Sequence, residues 1–330
     1  MRLPINFVFC RHLSTFRDTF ISKYGKPESQ AWFPGHMYKG ILQMQAKLAV
    51  VDCIIEVHDA RIPFSGRNPK FYSMLTAVKP HLLVLNKCDK IEYSYRKKIK
   101  DRLLKENIQN VLFTNCKANK KSGVDKIIPT VLELIEMSSK YQKGMAADFA
   151  LMVIGIPNVG KSSIINKLRN IHLKKKKASH VGAVPGITKS VLEKIKISEN
   201  PKVYLYDTPG VMQPKIDNIE VGLRLALCRT LRDDLIGEAL IADYLLYWLN
   251  KNKNFSYVEY LKLEEATDDI RLILLHISKE FNFTQKFRNP QRYMETVPDF
   301  KRASELFINS FRDGKFGNLL LDIDYLNKVS

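Results

Sequence analysis

Short apolar runs bounded by polar or turn-forming residues recur along the first part of this 330-residue chain. Runs of this kind are typical of strands that are buried on both faces of a sheet. Segments with apolar residues at helical spacing lie between them. This alternation predicts an α/β fold in which helices flank a mainly parallel sheet. The six predicted strands are 51–57, 81–85, 111–113, 150–154, 191–197 and 203–206.

The pattern changes near residue 226, where strand-like runs give way to longer stretches with apolar residues at helical spacing. Such stripes are typical of core packing, so they predict a small helical C-terminal domain at 226–330, after an α/β domain at 27–225. The helical stretches are 231–249 and 261–281, and a basic turn at 311–317 lies between apolar runs near the end. No stretch approaches the roughly 20 consecutive apolar residues of a membrane-spanning helix.

Residues 1–26 are basic and rich in hydroxyl groups, with Asp18 as the one acid. This composition is typical of a mitochondrial transit peptide, which we predict here. A secretory signal fits worse, because Arg11 and His12 interrupt its apolar run. An ordinary basic N-terminal helix is the alternative.

The chain carries 53 Lys and Arg against 34 Asp and Glu, a formal net charge of +19. This excess indicates an anionic partner, with nucleic acid favoured over a lipid surface. A lysine run at 174–177 belongs either to such a contact or to an ordinary solvated patch. The five cysteines lack any C-x-x-C spacing, which supports neither a zinc site nor a disulfide framework and favours a reducing interior.

A full G-x-x-x-x-G-K-[ST] phosphate loop runs from Gly155 to Ser162, between a predicted strand and an amphipathic helix. In that context backbone N–H groups and the helix N-terminus meet phosphate oxygens. Lys161 supplies a full positive charge for the terminal phosphates, and the Ser162 hydroxyl suits Mg²⁺. The loop predicts a nucleoside triphosphate site.

An N-K-x-D tetrad, Asn86-Lys87-Cys88-Asp89, follows the predicted strand 81–85. The Asp89 carboxylate can accept hydrogen bonds from the N1–H and the exocyclic amine of guanine. Adenine offers neither donor there, so the same carboxylate would be left unpaired. A tetrapeptide alone is a weak signal, but beside a phosphate loop it predicts that Asn86, Lys87, Cys88 and Asp89 bind guanine. The turn 114–117 takes the position of a guanine-oxygen contact, although its sequence matches that motif poorly.

A D-x-x-G motif, Asp207-Thr208-Pro209-Gly210, ends the last predicted strand, 45 residues after Ser162. Asp207 can hold a magnesium-bound water, and the Gly210 N–H can contact the terminal phosphate. Thr188, at the end of a segment rich in glycine and proline, can complete the magnesium site. We therefore predict Ser162, Thr188 and Asp207 as the Mg²⁺ residues. The predicted phosphate-binding residues are Asn158, Val159, Gly160, Lys161, Ser162, Ser163 and Gly210.

The motifs occur in a permuted order, because guanine nucleotide hydrolases normally place N-K-x-D last and here it comes first. The strands then run as fourth, fifth, sixth, first, second and third of the usual domain. Such a circular permutation keeps every motif at one edge of the same sheet, and new termini at surface loops are tolerated. It also leads the chain from D-x-x-G directly into the C-terminal region.

These motifs together resemble the YlqF/RbgA family of circularly permuted GTPases, in its mitochondrial branch. The family assists late assembly of the large ribosomal subunit. Resemblance is specific from about Trp32 to Leu227 and continues weakly to the turn at 314–317. The residues that carry it are Trp32-Phe33-Pro34-Gly35-His36-Met37, Asp59-Ala60-Arg61-Ile62-Pro63, Asn86 to Asp89, Gly155 to Ser163 and Asp207 to Gly210.

The resemblance implies a GTPase that hydrolyses GTP to GDP as a release switch. Its implied partners are the mitochondrial large ribosomal subunit and its rRNA. The implied location is the matrix, with peripheral association with the inner membrane and no transmembrane segment. It implies a catalytic role for His36, since Val211 stands where many GTPases carry a water-orienting Gln, and a potassium ligand in Asn158, beside the Mg²⁺ cofactor.

Three alternatives stay open. On sequence grounds alone a lone His36 after a Pro-Gly turn is more often structural than catalytic. The chain could be an RNA-binding switch in which GTP is only a structural ligand. It could also act on cytosolic or nucleolar subunits.

Overall fold

The computed structural model describes residues 16–21, 42, 44–67, 79–138, 148–174, 193–211, 216, 218–288 and 294–327. The chain divides into two compact units, and each is discontinuous in sequence. The sheet unit comprises Pro27–Leu235 and Asn318–Ser330. The helical unit comprises Met1–Lys26 and Ile236–Gly317.

The sheet unit contains one six-stranded sheet in the order β3-β2-β1-β4-β6-β5. Every pair of neighbouring strands is parallel except β5 and β6, which are antiparallel. The prediction of a mainly parallel sheet flanked by helices is confirmed. The strands are β1 Cys53–Asp59, β2 His81–Asn86, β3 Val111–Phe113, β4 Phe149–Ile154, β5 Glu193–Ser198 and β6 Val203–Asp207.

This strand order is that of a circularly permuted GTPase domain. Counted from the phosphate-loop strand β4, the sheet reads sixth, fifth, fourth, first, third and second. The parallel register aligns the carboxyl ends of the central strands, with Asp59 opposite Asn86 and Val153 opposite Asp207. All the strand-end motifs therefore lie along one edge of the sheet, where α/β proteins bind ligands.

Helices of the sheet unit bury one stripe at helical spacing. In the first, Ile99 and Leu103 are buried and most other positions are charged; in the second, Ile127, Ile128, Val131 and Ile135 are buried, and Glu133 and Glu136 are exposed. The described helices of the sheet unit include α1 Tyr95–Lys105, α2 Ile127–Met137, α3 Lys161–Leu173 and α4 Ile219–Leu227, and α5 Asp233–Ile236 lies at the division between the units.

The end of the chain belongs to the sheet unit, in contrast to the predicted C-terminal domain at 226–330. The side chain of Asp322 is completely buried and accepts hydrogen bonds from the backbone N–H groups of Phe64 and Ser65, each at 2.8 Å. Arg224 of α4 also donates to it, at 3.3 Å. Leu320 joins the apolar cluster of β2 and α1. These contacts join residues that are far apart in the sequence, so a local hydrophobic pattern cannot predict them.

Within its described residues, the helical unit contains four helices and a two-stranded antiparallel hairpin. α6 is buried on nearly all sides, from Leu240 to Asn250, and therefore forms the centre of this unit. No described helix of the chain has both the length and the apolar character that a bilayer span requires. The elements are α6 Glu238–Lys251, α7 Ser256–Leu261, α8 Ile270–Glu280, β7 Thr284–Arg288, β8 Met294–Pro298 and α9 Phe300–Asp313; the last helix, α10 Ile323–Asn327, lies in the sheet unit.

Three details of this region differ from the prediction. The helix expected at 231–249 is interrupted by Gly237, whose φ of 97° ends α5 and begins α6. The helix expected at 261–281 begins only at Ile270, because the Asp269 side chain caps it by accepting a hydrogen bond from the Arg271 N–H. The hairpin is a further element, and the apolar periodicity missed it because the described side chains of its strands are largely exposed.

Candidate nucleotide site

The phosphate loop turns sharply between β4 and α3, and its last glycine is what permits the turn. Gly160 has φ 100°, and a Cβ at this position would lie 2.3 Å from the Asn86 side-chain nitrogen. Neither the backbone conformation nor the space admits another residue. The helix begins at Lys161, immediately after the turn. Its N-terminal N–H groups therefore emerge at the loop, in the arrangement that binds phosphate.

Lys161 is buried, and its ammonium group donates to two carbonyl oxygens of its own loop. The Nζ atom lies 3.0 Å from the oxygen of Gly155 and 2.9 Å from that of Ile156. Burial lowers the pKa of Lys161 to about 8, although the nearby charge of Asp207 opposes this shift. A phosphate oxyanion would raise the pKa again, because an opposite charge stabilises the protonated amine.

Nucleotide affinity should therefore depend on pH. Below about pH 8, Lys161 is protonated in both the free protein and the complex, so the affinity should be constant. Above about pH 8 the free protein loses a proton that the complex retains, so the affinity should fall by up to about tenfold per pH unit. Titration of a fluorescent GTP analogue between pH 7 and 9.5 measures this. The Lys161→Arg variant provides the control, since its guanidinium stays charged and its profile should be flatter. Identical profiles for the two proteins would contradict the assignment.

The N-K-x-D residues hold the phosphate loop directly. Asn86 donates through Nδ2 to the carbonyl oxygen of Val159 at 2.9 Å, and its Oδ1 accepts from the Thr114 hydroxyl at 3.2 Å. Lys87 Nζ donates to the carbonyl oxygen of Asn158 at 2.7 Å. The structure thus brings together the two motifs that the sequence places far apart. Thr114 was a missed participant, because only its position in the chain marked the turn 114–117.

A buried carboxylate forms an ion pair with Lys87. Asp59, at the end of β1, is fully buried and lies 2.9 Å from Lys87 Nζ. Arg61 binds the same carboxylate with Nε at 3.0 Å and NH2 at 2.8 Å. Burial opposes ionisation, but the charges of Arg61 and Lys87 outweigh it and hold the pKa of Asp59 well below its usual range. Asp59 and Arg61 belong to the D-A-R-I-P motif at residues 59–63, whose structural role the sequence alone does not indicate.

Asp89 and Cys88 occupy the short 3₁₀ turn Cys88–Lys90 that follows β2. Asp89 is exposed, whereas the Cys88 side chain packs in the apolar cluster of β2 and α1. Burial raises the pKa of the Cys88 thiol, so this side chain stays protonated and apolar in character. Only the main chain of Cys88 is therefore available to a base, while the Asp89 carboxylate is accessible.

Ser162 and Asp207 offer a pair of oxygen ligands. The Ser162 hydroxyl donates to Asp207 Oδ2 at 3.5 Å, and the Asp207 side chain is buried at the end of β6. Among the described residues no cluster of three or more His, Cys, Asp or Glu side chains could hold a metal ion. A hydroxyl and a carboxylate nevertheless fit Mg²⁺, which takes few protein ligands and completes its shell with phosphate and water oxygens.

The D-x-x-G segment lies against the phosphate loop. A Cβ on Gly210 would come within 2.7 Å of the Pro157 backbone nitrogen, so this close approach requires glycine. The Val211 N–H donates to the carbonyl oxygen of Gly155 at 3.2 Å. The Val211 side chain is buried in an apolar cluster that includes Met44 and Ile154. Gly210 is thus held beside the loop, and Val211 has a packing role.

Two of the predicted residues, His36 and Thr188, lie outside the described residues. Asn158, the predicted potassium ligand, has φ 58° and donates through Nδ2 to the carbonyl oxygen of Arg229 at 2.6 Å. Val159 is buried, and Ser163 lies in the first turn of α3. The other predicted phosphate, guanine and metal residues come together at the carboxyl edge of the sheet.

Comparisons with known proteins agree with this geometry. A family model described as a 50S ribosome-binding GTPase matches residues 150–282. The chain is 52% identical over 295 residues to a mitochondrial GTPase 1 from Aedes aegypti, an alignment that covers 89% of this chain and 93% of the relative. It is 33% identical over 297 residues to a ribosome biogenesis GTPase A from Bacillus licheniformis, covering 87% of this chain and 96% of that one.

A solved structure with a similar fold is the GNP-bound YlqF from T. maritima, with a TM-score of 0.54. The two chains are 22% identical, and the match covers 86% of this chain and 97% of the other. This likeness concerns the fold, and it includes the permuted order of the strands.

Proposed function

Because the chain belongs to the YlqF/RbgA family of circularly permuted GTPases and is therefore a GTP-hydrolysing enzyme, we propose that it assists late assembly of the mitochondrial large ribosomal subunit. In this proposal the GTP-bound protein binds the subunit, and hydrolysis to GDP and phosphate releases it. The observation that carries the proposal is the nucleotide edge itself, where Asn86 and Lys87 bind the backbone of the phosphate loop.

The proposed roles combine the sequence motifs with the contacts described above. Asp89 selects guanine, while Asn86 and Lys87 fix the phosphate loop relative to the base. Lys161 and the N–H groups of the loop and of Gly210 bind the terminal phosphates. Ser162 and Asp207, together with Thr188, would hold Mg²⁺, which neutralises charge on the phosphate oxygens. Val211 does not orient water, so His36 supplies that function in our proposal.

The cellular part of the proposal is supported by the relatives. The Aedes aegypti protein is named as mitochondrial, and the Bacillus licheniformis protein as a ribosome biogenesis GTPase. Combined with the basic N-terminal composition, these names favour a mitochondrial location, and within it we propose the matrix, with peripheral contact with the inner membrane. Potassium bound at Asn158 beside the transferring phosphoryl group is a further part of the proposal.

A basic surface on α1 fits an RNA partner. Four exposed lysines of this helix, termed the α1 lysines, face away from its buried stripe. Next to them Tyr93 is 79% exposed, and the Arg96 guanidinium lies 4.7 Å from its ring centroid. Lysines bind phosphates, and an exposed aromatic ring can stack on an unpaired base. The α1 lysines are Lys97, Lys98, Lys100 and Lys105.

Changing the four α1 lysines to Gln should flatten the salt dependence of subunit binding. The slope of log affinity against log salt should drop by about 0.7 to 0.9 for each phosphate contact that is lost. Binding is measured by sedimentation with large subunits between 50 and 300 mM KCl. The variant with four Arg residues keeps the charge and should keep the slope. If the Gln variant retains the slope of the parent, the α1 lysines are merely solvated.

Single-turnover hydrolysis with and without mitochondrial large subunits tests the function as a whole. We expect stimulation by large subunits and none by small subunits. A rate that subunits leave unchanged would favour an RNA-binding switch for which GTP is a structural ligand. Localisation of a fluorescent fusion, followed by a map of the particles that co-purify with a hydrolysis-blocked variant, distinguishes mitochondrial from cytosolic or nucleolar subunits.

A further inference from the structure

Arg17 neutralises two carboxylates of the helical unit, although it lies inside the predicted transit peptide at 1–26. Its NH2 atom lies 2.9 Å from Oδ1 of Asp243 in α6, and its Nε lies 2.8 Å from Oδ2 of Asp268, which precedes α8. The backbone N–H of Arg17 also donates to Asp268, at 3.1 Å. Only 1% of the Asp243 side chain is exposed. Arg17 therefore provides the charge that this buried carboxylate needs.

Aromatic rings hold the same segment on both sides of Arg17. The Phe20 ring packs edge-on against Tyr244 with centroids 5.1 Å apart, and Phe16 packs against Phe255 at 5.6 Å. The Tyr247 hydroxyl donates to the carbonyl oxygen of Asp18 at 3.1 Å. Residues 16–21, termed the Arg17 segment, thus pack on α6 through rings, charges and backbone.

Loss of this segment would leave the buried carboxyl group of Asp243 without its cationic partner. Breaking a buried ion pair by removing one partner is strongly destabilising, because the remaining charge cannot regain its hydration. An exposed pair behaves differently. Arg271 and Asp269 form a bidentate pair of the same chemistry in the same unit, but the Arg271 side chain is 70% exposed. Such a pair contributes little to stability.

We propose that the Arg17 segment is a permanent part of the helical unit, so that any import peptide removed from this protein ends before Phe16. The statement about import rests on the proposed mitochondrial function, whereas the structural role of the segment does not. The transit peptide is then shorter than the predicted 1–26. Composition alone cannot distinguish basic residues that guide import from a basic residue that pairs with a distant carboxylate. Arg17 serves the folded protein.

The first experiment is intact-mass and N-terminal peptide analysis of the protein isolated from mitochondria. We expect the mature chain to begin at Phe16 or upstream of it. A mature N-terminus at Arg17 or beyond it would overturn the proposal. Absence of the protein from mitochondria would instead overturn the proposed location, and the Arg17 segment would then be decided by the second experiment alone.

The second experiment compares thermal unfolding of the full chain carrying Arg17→Ala with that of Arg271→Ala. The Arg17→Ala variant should lower the transition of the helical unit by about 10 °C or more, and Arg271→Ala by no more than about 2 °C. Hydrogen exchange of α6 should accelerate in the first variant alone. Arg17→Lys keeps a positive charge, so its unfolding temperature should lie between those of Arg17→Ala and Arg271→Ala. This variant keeps the test decisive if Arg17→Ala does not fold. Equal effects of Arg17→Ala and Arg271→Ala on both readouts would overturn the proposal.

Discussion

Replacing His36 with Ala is expected to lower the subunit-stimulated rate of GTP hydrolysis by about 10²-fold or more, within the usual effect of removing a positioned acid–base or orienting group. The basal rate of the free protein should hardly change, because we propose that His36 acts on the terminal phosphate only when the protein is bound to the ribosomal subunit. GTP affinity should also stay nearly constant, since the imidazole would act on the transition state.

The packing of Val211 supports this expectation. A residue buried among Met44, Ile154 and other apolar side chains cannot orient water, so the function must come from elsewhere. Met44 follows His36 by eight residues in the chain and packs in the same cluster as Val211. Met44 is therefore anchored beside the D-x-x-G segment.

Single-turnover hydrolysis at saturating large subunit measures the effect of His36→Ala. His172→Ala provides the matched control, because His172 lies in the same unit, in the last turn of α3, and outside every motif. It should retain full stimulation. Full stimulation of His36→Ala as well would make His36 structural and would assign the positioning of water to the ribosome.

Replacing Asp89 with Asn is expected to weaken GTP binding by about 10²-fold or more, because two charge-assisted hydrogen bonds to guanine are lost. One carboxylate oxygen becomes an amide donor, which faces the exocyclic amine at C2 of guanine while the remaining oxygen accepts from the N1–H. Xanthosine triphosphate carries an oxygen at C2 that accepts this donor, so its binding should improve. Competition of both nucleotides against a fluorescent GTP analogue measures the change in preference.

The effect should be confined to the base, since Asn86 and Lys87 hold the phosphate loop without help from Asp89. Glu92→Gln removes the same charge from another exposed acid three residues further on, and it should leave both affinities unchanged. Equal GTP affinity in Asp89→Asn and its parent would remove Asp89 from the base pocket.

The sequence predicts β2, β3 and β4 well because each of them contains an uninterrupted apolar run. The observed β3 has the predicted bounds, and β2 extends one residue further than predicted. The motifs at the strand ends could be placed for the same reason, since parallel strands bring their carboxyl ends to one edge. Local periodicity thus suffices where neighbours in the fold are consecutive strands and helices.

The rest of the fold depends on pairs of residues that are distant in sequence. Asp322 accepts a hydrogen bond from the backbone N–H of Phe64, and Arg17 pairs with Asp243. In the local sequence, each of these charged residues looks like an ordinary polar surface residue. The same limit concealed Asp59, whose partner Lys87 comes from the next strand. From the pattern of hydrophobic and polar positions alone, such buried charged residues are predicted to be exposed to solvent.

The return of the chain end to the sheet unit has a consequence for the order of folding. The N–H of Leu321 donates to the carbonyl oxygen of Arg61 at 2.9 Å, and Arg61 in turn binds Asp59 beside the nucleotide edge. These two residues can meet only after residue 321 has been synthesised, and contacts of long sequence separation form slowly. The sheet unit should therefore fold later than its consecutive strands and helices alone would allow, because the backbone beside Asp59 is held from so distant a part of the chain.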